Sequence, residues 1–170
     1  MNVRSLRLAL VVVGCLGAGP LVSNAAAQDR LGGHFGVLLP LVSHGNGQTT
    51  TISDDFVLGF PMGITVRKSD ALAFDLELVP VIQNDPLHVD LTVHPGVVFG
   101  VGDGWGVGAR MAFDLNKASW GFTPILNHGL LKVGRDAMFF GEVVMPIRFQ
   151  DNGGGTFTSI GLGLHFGIGF

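Results

Sequence analysis

Nine polar side chains stand where chemistry could use them: Arg67, Asp75, Glu77, His94, Arg110, Asn127, Glu142, Arg148 and His165. Each lies in a segment where large apolar residues alternate with small or polar ones, and each takes the polar parity. Guanidinium, carboxylate and imidazole groups on one shared face can do one of two things. They can neutralise one another in a buried network, or they can pass a proton or solute along a path. The network is the preferred reading, because a narrow interior holds little beyond its own side chains. Pairing the segments about their turns brings Glu142 beside Asn127 on one side and near His165 on the other. It sets Asp75 and Glu77 across from His94 and Thr92.

Other chemistries fare worse. His88 and His94 share a face but lie about 20 Å apart along a strand, so they cannot hold one ion together. His34 and His165 belong to the first and last segments and approach only if the sheet closes on itself. With no cysteine motif or fixed ligand spacing, no metal or cofactor is assigned. A lipid hydrolase would need a serine and histidine in reach of each other and of a third, orienting group. Ser159 has Arg148 as its expected neighbour and His128 falls near the far end of its own strand, so no catalytic residue is assigned. The glycine-rich stretch 100–108 lacks the lysine and following helix of a phosphate loop.

The elements that position these groups are strands. From Phe157 to Phe170, one face carries Ile160, Leu162, Leu164, Phe166, Ile168 and Phe170; the other carries Ser159, Gly161, Gly163, His165, Gly167 and Gly169. Strict alternation is the period of a strand. Seven similar segments precede it, at 31–42, 56–67, 71–82, 87–101, 105–115, 120–131 and 138–149. Ser43 to Asp55 reads as the longest loop, Lys68 to Asp70 as a tight turn, and Gly102-Asp103-Gly104 as a hairpin. Aromatic residues collect at both strand ends: Phe74, Phe99, Trp105, Phe139 and Phe170 at one, Phe56, Phe113, Trp120, Phe122 and Phe149 at the other.

Composition agrees. The chain has 170 residues, 47% of them hydrophobic and 14% charged, with 27 glycines and a net charge of −3. No run after residue 30 is long and apolar enough for a spanning helix, and nothing marks a nucleic-acid partner. Arg4 and Arg7 precede an apolar run from Leu8 to Val22, and Ala25-Ala26-Ala27 follows. This reads as a signal peptide over residues 1–27, cut after Ala27, with the domain proper at 28–170. The alternatives are an uncleaved anchor, or a lipoprotein box at Val12-Val13-Gly14-Cys15 that would leave Cys15 lipidated.

A soluble barrel would put its apolar side inward. Here the apolar set carries no charge, while the ionic residues share the other face and require an interior in which to pair. The expected fold is therefore all-β: an eight-stranded antiparallel up-and-down transmembrane β-barrel.

The leader, the eight alternating strands and the terminal Leu164-His165-Phe166-Gly167-Ile168-Gly169-Phe170 resemble the small eight-stranded outer-membrane barrels of Gram-negative bacteria, the OmpA-transmembrane, OmpX and OmpW-like proteins. The likeness covers the mature chain as a pattern, without a motif that singles out one family. It implies that Phe166, Ile168 and Phe170 form the signal read by the barrel-assembly machinery. It also implies outer-membrane lipids as surroundings, periplasmic termini and a monomer. The functional expectation is a non-enzymatic protein of membrane integrity or surface interaction, with Ser43 to Asp55 as contact surface. The alternatives are a narrow conduit for small or apolar solutes and a lipid-modifying enzyme.

Overall fold

A computed structural model describes residues 30–84, 86–151 and 153–170. The expected signal peptide, its cleavage position and Cys15 lie outside them. The described strands are β1 (Leu31–Gly45), β2 (Gln48–Thr51), β3 (Leu58–Gly59), β4 (Met62–Ser69), β5 (Leu72–Asn84), β6 (Leu87–Gly102), β7 (Trp105–Asp114), β8 (Ser119–Val133), β9 (Ala137–Val144), β10 (Ile147–Asp151) and β11 (Thr156–Gly169). All pairings are antiparallel, and β11 returns to β1 from His34↔Gly169 to Gly45↔Ser159. The sheet is a closed ring of eight staves. One stave is β3 with β4, another is β9 with β10, and β2 extends β1 as a hairpin.

Proline breaks the two divided staves. Pro61 separates β3 from β4 and Pro146 separates β9 from β10, at positions where a single strand was expected. Proline has no N–H for the ladder. Its carbonyl still serves, accepting from Gly36 at Pro61 (2.9 Å) and from Gly161 at Pro146 (2.8 Å), so the ring stays closed across each break. The expected loop from Ser43 to Asp55 is half strand. β1 runs on to Gly45 and turns at Asn46-Gly47, both at positive φ (50° and 73°), before returning as β2. Asn-Gly suits that mirror-image turn because both residues tolerate positive φ.

The two faces separate sharply. Along β5, Phe74 and Leu76 are 49% and 50% exposed, whereas Asp75 and Glu77 between them are 5% and 2%. The same reversal runs through β6, β7 and β11, with Asp90, His94, Arg110 and His165 buried and Val89, Val107, Leu162 and Phe166 exposed. Leaving one large apolar side chain in water forgoes about 1.5–3 kcal/mol, and this would recur around the whole circumference. A hydrocarbon surround removes that penalty, and the enclosed ions are shielded from it by the wall. Aromatic groups gather at both rims. Trp120 packs on Phe149 (ring centroids 4.8 Å apart) at the loop end, while Phe35 and Phe170 meet at 6.5 Å at the end holding the termini.

The interior glycines make room for the ions. Gly63 lies opposite His34 and Gly96 opposite Arg110. A Cβ on Gly63 would collide with the His34 ring, and one on Gly96 would stand 2.6 Å from Arg110 Cγ.

Candidate functional site

Arg110, on β7, is the centre of the lumen. Its Nε donates to Asp75 Oδ2 at 2.8 Å and its Nη1 to Glu142 Oε1 at 2.7 Å. Nη1 also stands 3.2 Å from Glu77 Oε2. The three carboxylates reach it from β5 and β9, on opposite flanks. Imidazoles form the next ring. His165 Nδ1 lies 3.2 Å from Glu142 Oε1. His34 faces both Asp75 (3.7 Å) and Glu77 (3.8 Å), and His94 Nδ1 is 3.8 Å from Glu77. Thr65 donates to Asp75 at 2.9 Å. Every member of the central cluster is buried, with Arg110 at 4% and Glu142 at 3%. A lumen wide enough for water at this level would leave them wetted, so the cluster is a plug.

Between plug and loop end stands Arg148, on β10. It donates through Nη1 to Thr123 Oγ1 (3.1 Å), the Phe122 carbonyl (3.3 Å) and the Ile147 carbonyl (3.2 Å). Its Nη2 is 3.2 Å from His94 Nε2. A guanidinium can only donate, so Nε2 of His94 accepts and Nδ1 carries the proton that points at Glu77. On the termini side of Arg148, a space of about 60 Å³ is lined by Leu38, Val79 and Val144 above Arg110. On its other side, a cavity of about 370 Å³ sits inside the loop end.

The expected network is thus mostly assembled by the ring, with differences. Glu142 pairs with Asn127 on β8 and with His165 on β11, in the expected register. Across β5 and β6, however, Glu77 faces His94 and Asp75 faces Gly96, a slip of two residues from the expected register. Arg67 does not join: it is exposed at the end of β4, beside a bulge between Arg67 and Ser69. His34, left out of the network by sequence reasoning, is inside it. Its parity was a signal, but only closure of β1 on β4 and β11 carries it to the carboxylates. A second group at the loop end, Asp90 held by Lys117 (2.9 Å) and Gln83 (3.4 Å), was also missed.

His34, Asp75 and Glu77 each offer a donor atom within 4.8 Å of the others, a set a divalent cation could use. Arg110 already occupies one oxygen of each carboxylate, and its charge is permanent. The guanidinium thus already supplies positive charge to both carboxylates, from the side away from the oxygens that face His34. Among the described residues Ser159 and His128 do not meet: Ser159 Oγ accepts from Gln150 (3.0 Å), while His128 stacks on Trp105 (4.3 Å) at the opposite end.

A closed antiparallel ring with an apolar belt, aromatic rims and a charged interior defines the class: an eight-stranded transmembrane β-barrel. No protein-family model and no curated protein matches the chain. Among solved structures it is similar to the outer membrane protein OprG from Pseudomonas aeruginosa, at 10% identity over 82% of this chain and 94% of that one, with a TM-score of 0.43. It is also similar to a chain from the de novo design of transmembrane β-barrels, at 14% identity over 81% of this chain and 95% of that one, with a TM-score of 0.36.

Proposed function

We propose that this is a non-enzymatic, monomeric protein of the Gram-negative outer membrane that serves membrane integrity or surface contact and is shut to ions. Both termini lie on the periplasmic side, and Phe166, Ile168 and Phe170 present the assembly signal on the outer face of β11. The observation that carries the reading is the burial of Arg110 with Asp75, Glu77 and Glu142 across the middle of the lumen. Separating those charges would mean breaking three short ion pairs at once, so passage is opposed at every moment the cluster is intact.

The conduit reading has the 370 Å³ cavity in its favour, since a solute could enter that far from the loop end. It must then pass Arg148 and the plug. Single-barrel recordings in planar bilayers separate the two. A silent membrane is expected, and stable open steps from the unmodified protein would overturn the shut-barrel reading in favour of the conduit.

A further inference from the structure

The cavity at the loop end ends on a cation that makes no contact ion pair with the described residues, Asp114 acting on it only from beyond 4.0 Å. Arg148 spends its hydrogen bonds on two carbonyls, a hydroxyl and an imidazole, all neutral, and among the described residues no carboxylate lies within 4.0 Å of it. By contrast, Arg110 has three carboxylates and Lys117 has Asp90. Arg148 and Pro146 border both internal spaces, so the guanidinium forms the floor of the larger one. Above it the wall is mixed: Pro40, Val57 and Val81 form an apolar strip among Ser43, Thr50, Thr51 and Gln83, with Lys117 held by Asp90. Gln150 and Ser159 add neutral polar groups, and Asp55, the acidic member of the lining, is exposed near the loops.

A cavity of about 370 Å³ falls within the range of small-molecule sites and has room for roughly a dozen water-sized groups. A partly buried guanidinium without a contact ion pair favours an anion, and a planar carboxylate matches its fork. The apolar strip above it gives a short hydrocarbon body a place to lie. We propose that the loop-end cavity binds a small amphipathic monocarboxylate, its acid group on Arg148 and its tail against Pro40, Val57 and Val81. The site needs the lumen blocked only beyond Arg148. It therefore stands apart from the shut-barrel reading, and conductance and binding can succeed or fail separately.

The test uses the membrane-purified protein in phosphatidylcholine nanodiscs, titrated calorimetrically with octanoate and with octanol, and corrected for protein-free nanodiscs. Octanoate is expected to bind saturably, one per barrel, and more tightly than octanol. Arg148→Gln should weaken octanoate about 10- to 100-fold and leave octanol within a few-fold. Val81→Phe, which keeps the cation and fills the cavity, should weaken both. Octanoate binding unaltered by Arg148→Gln, or no tighter than octanol in the parent, would overturn the proposal, as would uptake no greater than by protein-free nanodiscs. If Arg148→Gln does not fold, the parent comparison and Val81→Phe decide: octanoate binding unchanged in Val81→Phe would also overturn it.

Discussion

Replacing Arg110 with methionine keeps an unbranched stem but removes the guanidinium and its charge, leaving Asp75, Glu77 and Glu142 facing one another without their shared cation. At N–O separations of 2.7–3.2 Å and an effective dielectric of about 20, each attraction is worth roughly 5–6 kcal/mol before any desolvation is counted. Much of that offsets the cost of burying the ions, so the measurable loss is smaller. Removing one partner of a buried ion pair costs about 3–5 kcal/mol, and the upper end is expected here because three anions are left. The barrel has one way to soften this, which is to admit water to the carboxylates, and that opens the plug. Urea unfolding of the refolded barrel in lipid vesicles, followed by tryptophan fluorescence, reads the first effect. Planar-bilayer recording reads the second. Adding Asp75→Asn, Glu77→Gln and Glu142→Gln to Arg110→Met should recover part of the stability, since the uncompensated charge is then gone. An Arg110→Met barrel that is as stable as the parent and still silent would refute the plug.

Leu164→Arg, with its cation on the outer face of β11 between Leu39 and Val143, should cost about 2–4 kcal/mol if that position is near the bilayer midplane; the same unfolding assay checks it. Gly96→Ala places a methyl group against Arg110 Cγ and should cost about 1–3 kcal/mol as overpacking, with a shifted Arg110 side-chain resonance. Deleting Phe170 should slow assembly into the outer membrane in cells more than it destabilises barrel already refolded in vesicles, as judged by heat-modifiable gel mobility. In the loop beyond β2, Asp54 accepts from the Thr51 hydroxyl and amide (2.7 and 2.8 Å), which holds its carboxyl below the usual aspartate range. A depressed folded value means the contact is complete at neutral pH and is lost as pH falls through that lowered midpoint. The Thr51 amide resonance should report it.

What the sequence revealed and what it hid divide along physical lines. Inside-or-outside placement was legible because parity is local: two residues of β11 already declare it, and a missed turn does not reverse it. The Asn127–Glu142–His165 row was legible because a tight turn near Gly134 fixes one register and the short connection between Asp151 and Thr156 fixes the other. The β5–β6 register was not, because it depends on a loop around Pro86 whose length a count of alternating residues does not give, and a slip of two preserves both faces. Arg67 has inward parity, but parity says nothing of where a stave leaves the lumen. Pro61 and Pro146 announced the broken staves and Asn46-Gly47 announced the hairpin; these are local signals that reading by alternation alone passes over. That His34 meets Asp75 and Glu77 depends on the β1–β4 register, which the long connection from Gly45 to Leu58 leaves unset in the sequence.

The account depends on hydrocarbon lying against the apolar side of the wall. A nitroxide scan of positions 160–168 in lipid vesicles measures this directly, using oxygen as the relaxer that dissolves in lipid and a nickel chelate as the one confined to water. Oxygen should reach positions 160, 162, 164, 166 and 168, the chelate should not, and positions 163, 165 and 167 should be protected from both. Chelate access at 162, 164 and 166, with oxygen showing no period of two, would mean that water surrounds the barrel.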